Sequence, residues 1–146
     1  MTRTPQRDLV CKVFKQTNRA LTVQEAHVLA QQEMPSLGLA TVYRTVNIEV
    51  AEGWLRAVQL PGEPTRYELA SKQHHHHFQC VACQQVFDTH GCPGNLDRLV
   101  PTEFEVCSHE IVLYGYCPTC RSPQGQPKPD NTTFPADVAT PHQQRR

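Results

Sequence analysis

The sequence predicts an α+β fold in two small domains: an N-terminal winged helix-turn-helix and a C-terminal α/β domain closed by four cysteines. Apolar residues recur at helical spacing up to Gly53 and alternate afterwards, which is the pattern of three helices followed by a β-hairpin. Two Cys-x-x-Cys pairs lie in the later part of the chain. At 146 residues and 38% hydrophobic content, the chain can form modest cores that gain from a metal staple.

The first two helices have clear start signals. Thr4-Pro5 is an N-cap followed by a proline at the first helical position, which predicts a helix ending near Asn18. The segment Thr22-Val23-Gln24-Glu25 is a capping box, and the helix that it opens is expected to run over residues 23–33, where Pro35 stops it.

A third helix is predicted from Leu39 to the stop signal at Gly53, with a buried stripe on one face and a polar face on the other. The stripe is expected at Val42, Val46 and Val50, and the polar face at Thr41, Arg44, Thr45 and Asn47. Two strands follow at residues 54–60 and 65–69, joined by a Pro-Gly-Glu-Pro turn.

The second domain is predicted to hold short strands and one short helix. The strands are expected at residues 78–81, 86–88, 103–106 and 110–116, and the helix at about 94–100. We therefore divide the chain into a winged helix at 1–69, a hinge at 70–73, a metal-binding domain at 74–121 and a disordered, proline-rich tail at 122–146.

The two Cys-x-x-Cys pairs have the spacing of a closed zinc site. Four thiolates complete a tetrahedral shell and leave no position for a substrate, so such a site stabilises a fold. Seven cysteines, an odd number, fit metal ligation in a reducing compartment better than a disulfide framework. The other three, Cys11, Cys92 and Cys107, are interpreted as small buried apolar residues, with redox roles as the alternative. The predicted zinc ligands are Cys80, Cys83, Cys117 and Cys120.

Four consecutive histidines precede the first cysteine pair, and in an extended segment they point alternately to opposite sides. His75 and His77 therefore face one way, where Glu68 and Asp88 can join them. Such nitrogen and oxygen donors hold iron, manganese or zinc reversibly. A solvated low-complexity tract is the alternative interpretation of the histidine run.

The third helix presents small and polar residues suited to the major groove of DNA. Thr, Arg and Asn side chains can meet base edges or phosphates there, and Tyr43 and Arg44 are the strongest candidates. A solvated helix face is the alternative. The charge pattern supports DNA binding weakly, since residues 1–72 carry nine Lys/Arg against seven Asp/Glu.

Together these motifs resemble the ferric uptake regulator (Fur) family of bacterial metal-responsive repressors over roughly residues 2–120. The matching pieces are Thr4-Pro5-Gln6-Arg7, Gly38-Leu39-Ala40-Thr41-Val42-Tyr43-Arg44, Arg66-Tyr67-Glu68-Leu69, the histidine run with Phe78-Gln79-Cys80-Val81-Ala82-Cys83, and His109 with Leu113-Tyr114-Gly115-Tyr116-Cys117.

The resemblance implies a homodimer that binds an inverted-repeat operator through its winged helix and dimerises through its C-terminal domain. It implies that metal binding favours the DNA-binding state, with a structural zinc and a regulatory Fe²⁺, Mn²⁺ or Zn²⁺. The residues implied for DNA contact are Arg7, Thr41, Tyr43 and Arg44, and those implied for the regulatory metal are Glu68, His75, His77 and Asp88.

Two departures from the family pattern affect the metal sites. Many relatives have a fifth regulatory ligand, a histidine, where this chain has Ala20, which favours four ligands and disfavours peroxide sensing. A further family site has a helix carboxylate where this chain has Asn95, and Asp97 is close enough to replace it. The possible further site then consists of His74, His76, Asp97 and His109.

The function expected is a cytoplasmic, metal-dependent repressor of metal-homeostasis genes, with ferric uptake regulation as the default and no catalytic activity. Zinc uptake control and peroxide response within the same family are alternatives. A zinc-ribbon interaction module and a metallohydrolase with an open site are alternatives from other classes. No signal peptide or apolar run of membrane-spanning length is visible in the sequence.

Overall fold

The computed structural model describes residues 3–121, and the chain divides into two compact units. The first contains residues 3–70 and the second residues 71–120, so the division falls within the predicted hinge. The predicted disordered tail at residues 122–146 lies outside the described residues.

Three helices make up most of the first unit: α1 (Pro5–Thr17), α2 (Val23–Gln31) and α3 (Leu39–Ala51). The hydroxyl of Thr4 caps α1 by accepting a hydrogen bond of 3.2 Å from the backbone N–H of Arg7. The predicted capping box opens α2, since Thr22 accepts from the backbone of Glu25 and the Glu25 carboxylate accepts from the backbone of Thr22. None of the described helices is long and apolar enough to cross a bilayer.

The buried face of α3 differs in part from the predicted stripe. Val42 and Val46 are fully buried, whereas Val50 is 36% exposed. Thr45 and Glu49 complete the buried face instead. The reason is geometric, because steps of three and four follow the 3.6-residue period whereas repeated steps of four rotate off the face.

A two-stranded antiparallel wing follows the helices, formed by β1 (Leu55–Val58) and β2 (Arg66–Leu69). The chain before α2 adds a third short segment, because Leu21 and Tyr67 exchange two backbone hydrogen bonds of 2.9 and 2.8 Å. The wing thereby packs on the helical core. That core consists of Leu9, Val10, Val13, Phe14, Leu21, Val23, Ala26, Ala30, Leu37, Val42, Val46 and Leu55.

The second unit contains a three-stranded sheet in the order β4-β3-β5, with β3 at its centre. Strand β3 (His76–Cys80) pairs with β4 (Val86–Thr89) antiparallel and with β5 (Val112–Gly115) parallel. Within the second unit this sheet is the scaffold for the histidines and for the first cysteine pair.

Two predicted elements of the second unit are wrong. The helix expected at residues 94–100 is a single 3-10 turn, Asp97–Leu99, and residues 103–106 form no strand. Gly94 has a φ of 82°, outside the helical range, so the longer helix cannot start there. The α+β architecture nevertheless agrees with the sequence-based expectation, with three helices and a wing followed by a small sheet.

Candidate metal centres and recognition helix

The four predicted zinc ligands come together at one end of the second sheet. Their Sγ atoms all lie within 4.8 Å of one another. The Sγ atoms of Cys83 and Cys117 are 3.9 Å apart. Zinc–sulfur bonds of about 2.3 Å in a tetrahedron set sulfur–sulfur separations of about 3.8 Å. The cluster therefore has the donor type and the size of a structural zinc site.

Backbone geometry prepares this cluster for a metal. Burial of Cys80 opposes its ionisation, but backbone N–H groups of Cys83, Cys117 and Ala82 donate to its sulfur and lower its pKa to about 6. The Cys120 thiol interacts with the Cys117 sulfur, which raises the Cys120 pKa to about 12. One thiolate thus forms readily near neutral pH, whereas Cys120 ionises only when a cation compensates the charge.

A second group of donors lies along β3 and β4. Antiparallel pairing places Asp88 directly opposite His77, and the rings of His75 and His77 lie 4.8 Å apart on the same side of the strand. The Oδ1 atom of Asp88 is 3.6 Å from Nε2 of His75 and 3.9 Å from Nε2 of His77. Two imidazole nitrogens and one carboxylate oxygen thus converge.

Hydrogen bonds fix the orientation of these donors. Nδ1 of His75 donates to the carbonyl of Gln73 at 2.7 Å, so its Nε2 atom presents a lone pair to Asp88. The Lys72 ammonium holds Oδ2 of Asp88. The other oxygen, Oδ1, is buried and accepts no hydrogen bond within the described chain. An orphaned carboxylate oxygen facing two imidazoles fits a divalent cation.

Glu68, the fourth predicted regulatory ligand, lies near the end of β2 in the first unit. Its buried carboxylate accepts hydrogen bonds from Arg56, which is its partner across the wing. The assignment of Glu68 as a regulatory ligand stays a prediction.

The opposite side of β3 carries the histidines of the possible further site. The rings of His74 and His76 lie 4.7 Å apart, and that of His109 lies 4.9 Å from His74. The fourth group close to them is the thiol of Cys92, and all four offer donor atoms within 4.8 Å of one another. Asp97, the donor predicted from the sequence, instead accepts a hydrogen bond from the backbone of Val106.

Sequence reasoning missed Cys92 because the residue was interpreted as a buried apolar side chain. Of the three cysteines outside the paired motifs, only Cys11 is buried, and burial raises its pKa to about 11. Cys92 and Cys107 are exposed. The one available signal was the position of Cys92 two residues after His90, in a glycine- and proline-rich loop that follows a ligand-bearing strand.

The outer face of α3 carries the predicted DNA-contacting residues. Tyr43 is 41% exposed, and its hydroxyl accepts a hydrogen bond of 3.0 Å from the Gln24 side chain. Arg44 is exposed and reaches back to the Thr41 hydroxyl at 3.4 Å. His27 donates to the carbonyl of Leu37 and so braces the turn before α3. The helix thus presents an aromatic ring and a guanidinium side by side.

Arg7, which the family resemblance implies lies near the DNA backbone, is held by carboxylates of the first unit. It is a buried residue, and its guanidinium pairs with the carboxylates of Glu49 and Glu52 at the end of α3. The hydrogen bond to Glu49 raises the pKa of Arg7. The arginine therefore neutralises a buried carboxylate inside the helical unit. Its assignment as a DNA contact, which the family resemblance implies, stays a prediction.

Comparison with known proteins places these sites in context. The model described as the ferric uptake regulator family matches residues 1–114. The ferric uptake regulation protein of Campylobacter jejuni subsp. jejuni is 28% identical over 130 residues, which cover 86% of this chain and 83% of that protein. The peroxide-responsive repressor PerR of Staphylococcus aureus strain NCTC 8325 is 23% identical over 121 residues, or 81% of each chain. The solved structure of the Helicobacter pylori ferric uptake regulator Fur, described as having three functional metal binding sites, has a TM-score of 0.63 at 22% identity, with 86% of this chain and 85% of that chain covered.

Proposed function

The chain belongs to the ferric uptake regulator family, and from that premise we propose that it is a metal-dependent repressor that binds an operator as a metal-loaded homodimer. Members of this family are metal-responsive transcriptional regulators and not enzymes. The observation that carries the proposal is the convergence of His75, His77 and the orphaned Asp88 oxygen immediately after a winged helix.

Coupling between metal and DNA follows from chain connectivity. Glu68 is the penultimate residue of β2, and His75 follows only seven residues later. A shell that includes both residues restrains the hinge, so that cation binding selects one arrangement of the two units. The cation supplies the free energy for this selection through its greater affinity for that arrangement.

Contact with DNA is assigned to the outer face of α3. An arginine beside exposed polar groups can read base edges in the major groove, and a tyrosine hydroxyl can bond a phosphate or a base. The residues proposed for this role are the exposed Tyr43 and Arg44 and the half-buried Thr41. Arg7 supports the position of α3 through Glu49 and Glu52.

Self-association is assigned to the second unit. Its large apolar side chains are unusually exposed, with Leu99 at 77%, Phe104 at 64% and Leu113 at 51%. Strand β5 is an edge of the described sheet, so it can pair with another strand. A unit of 50 residues that exposes such side chains gains stability by covering them against a second copy.

Iron is the default regulatory metal, because ferric uptake regulation proteins are prominent among the similar sequences. Zinc uptake control is the second candidate, since the same donors accept zinc. Peroxide sensing is a third, because PerR is also a relative. Against it, the fifth ligand of that branch is replaced by Ala20, whose methyl group is buried and offers no donor.

The decisive experiment measures duplex binding by the double variant Tyr43→Ala/Arg44→Ala. The probe is a duplex selected by the parent protein from a random library in the presence of manganese. Loss of a base contact costs about 1–3 kcal/mol, so the two changes together should weaken binding at least tenfold, on the order of 1.4 kcal/mol, and a lost phosphate contact should lower the salt slope by about one.

Arg98→Ala is the matched control, because it removes an exposed arginine from the second unit and should leave binding within twofold. Metal content of all variants should stay unchanged. If the double variant binds the duplex as the parent does, the assignment of DNA contact to α3 is wrong. If the parent selects no duplex, the protein is not a DNA-binding repressor, and a zinc-ribbon interaction module or a metallohydrolase replaces that proposal.

A further inference from the structure

We propose that Cys92 completes a third metal site with His74, His76 and His109, and that this site prefers zinc to iron or manganese because its donor set contains a thiolate. The site lies entirely within the second unit. It neither includes the regulatory donors nor depends on the proposed function.

The first argument is the spacing of three donors. Nε2 of His74 and Nε2 of His109 are 3.3 Å apart. The Cys92 sulfur is 3.2 Å from Nε2 of His109 and 3.6 Å from Nε2 of His74. Around tetrahedral zinc, with Zn–N of about 2.05 Å and Zn–S of about 2.3 Å, the expected separations are about 3.3 Å for N–N and about 3.6 Å for N–S. These three atoms therefore already lie near the positions of three zinc ligands.

The second argument is a buried, unsatisfied nitrogen. His76 is only 2% exposed, and its Nε2 atom has no hydrogen-bond partner within the described residues. Its Nδ1 atom accepts from the backbone N–H of Ile111 at 3.2 Å, so Nε2 is the nitrogen left for the site. Binding through Nε2 needs the tautomer with its proton on Nδ1, at the expense of the Ile111 bond. Coordination to a cation offsets the lost hydrogen bond to Ile111 and gives the buried Nε2 atom a partner.

The loop around Cys92 holds its sulfur toward the histidines. The backbone N–H of Gly94 donates to the Cys92 sulfur at 3.4 Å, which fixes the position of that sulfur. The alternative fourth donor is the carboxylate of Asp97, and this carboxylate accepts a hydrogen bond from the backbone N–H of Val106. The described geometry thus favours sulfur over oxygen as the fourth donor.

Sulfur changes which metal the site selects. A carboxylate suits manganese and ferrous iron, whereas a thiolate favours zinc and cobalt. Three neutral imidazoles and one anionic thiolate form a donor set that zinc accepts in closed tetrahedral sites. The site should therefore take zinc even when the regulatory site holds another metal.

Cobalt is the probe, because a cobalt–thiolate bond produces a charge-transfer absorption in the near ultraviolet that nitrogen and oxygen ligands do not. The full-length protein is first loaded with one zinc per protomer to fill the four-cysteine cluster, and Co²⁺ is then titrated. The parent should develop the thiolate absorption. Cys92→Ser should lose it and should weaken zinc binding at this site by tenfold or more.

Cys107→Ser and Asp97→Asn are the matched controls, and both should keep the absorption. Cys92→Asp should keep metal binding but lower the preference for zinc over manganese by at least tenfold. Absence of the absorption in the parent overturns the proposal. Its persistence in Cys92→Ser does so too, because the sulfur would then come from the other cysteines, and so does its loss in either control.

Discussion

Replacement of Asp88 by asparagine tests the regulatory site most directly. Oδ1 of Asp88 lies 3.6 and 3.9 Å from the two imidazole nitrogens. Ligands about 2.1 Å from one cation lie about 3.0–3.4 Å from each other, so a small closure suffices to coordinate it. Asp88→Asn keeps the shape of the side chain and removes its charge.

The loss of metal affinity expected in Asp88→Asn can be estimated from the role of the carboxylate. Groups that only orient a ligand change metal affinity by 10–100-fold, so loss of a ligating carboxylate should cost at least about 100-fold, or about 2.8 kcal/mol. At a free metal concentration of about ten times the parent Kd, about 90% of parent sites are filled and only about 10% of Asp88→Asn sites. Operator affinity should then fall about tenfold, in proportion to the loaded fraction.

Calorimetric titration of the zinc-loaded protein with Mn²⁺ measures the metal affinity. Fluorescence anisotropy of the selected duplex at buffered free Mn²⁺ measures the operator affinity. Asp97→Asn is the control, since its carboxylate bonds a backbone N–H away from the regulatory donors. Equal manganese affinity in Asp88→Asn and the parent would refute the assignment. Unchanged operator affinity despite weakened manganese binding would refute the coupling between the sites.

Three further predictions concern stability and the zinc cluster. Val46→Ala removes two fully buried methyl groups and should lower the free energy of unfolding by about 1.5–3 kcal/mol in urea titrations, whereas Val28→Ala, at a position 60% exposed, should change it by about 0.5 kcal/mol or less. The pKa of Cys80 in the folded protein is depressed to about 6, so a proton competes with zinc for this sulfur only below about pH 6. The slope of log zinc affinity against pH should therefore increase by about one below pH 6. A slope that stays constant through pH 6 would argue against the depressed pKa. Removal of zinc by a chelator should lower the thermal midpoint of the second unit more than that of the first, as differential scanning calorimetry with the metal restored can check.

Local signals in the sequence predicted the elements that depend on few residues. The caps at Thr4 and Thr22 and the stop before Pro35 act within one helical turn, so the three helices occur close to where they were expected. The alternation of the histidine run follows from strand geometry alone, and the paired rings on each side of β3 agree with it.

Sequence patterns did not reveal contacts between residues that are distant along the chain. Nothing in the sequence indicated that Arg7 pairs with Glu49, which lies 42 residues away on another helix. Val50 is exposed because repeated steps of four rotate off the buried face of α3, and Glu49 lies on that face, where it pairs with Arg7. The periodicity of apolar residues does not predict which charged side chains pair inside a core.

The sequence by itself determined the family, the α+β order of elements and which four cysteines come together in the predicted zinc site, because these depend on short motifs and on spacing along the chain. Only the tertiary structure decided that Cys92, and not Asp97, meets the histidines on the far side of β3. Cys92 lies in a loop, 17 or more residues along the chain from His74 and His109, and folding of the whole unit brings it close to them. No local sequence pattern encodes that approach.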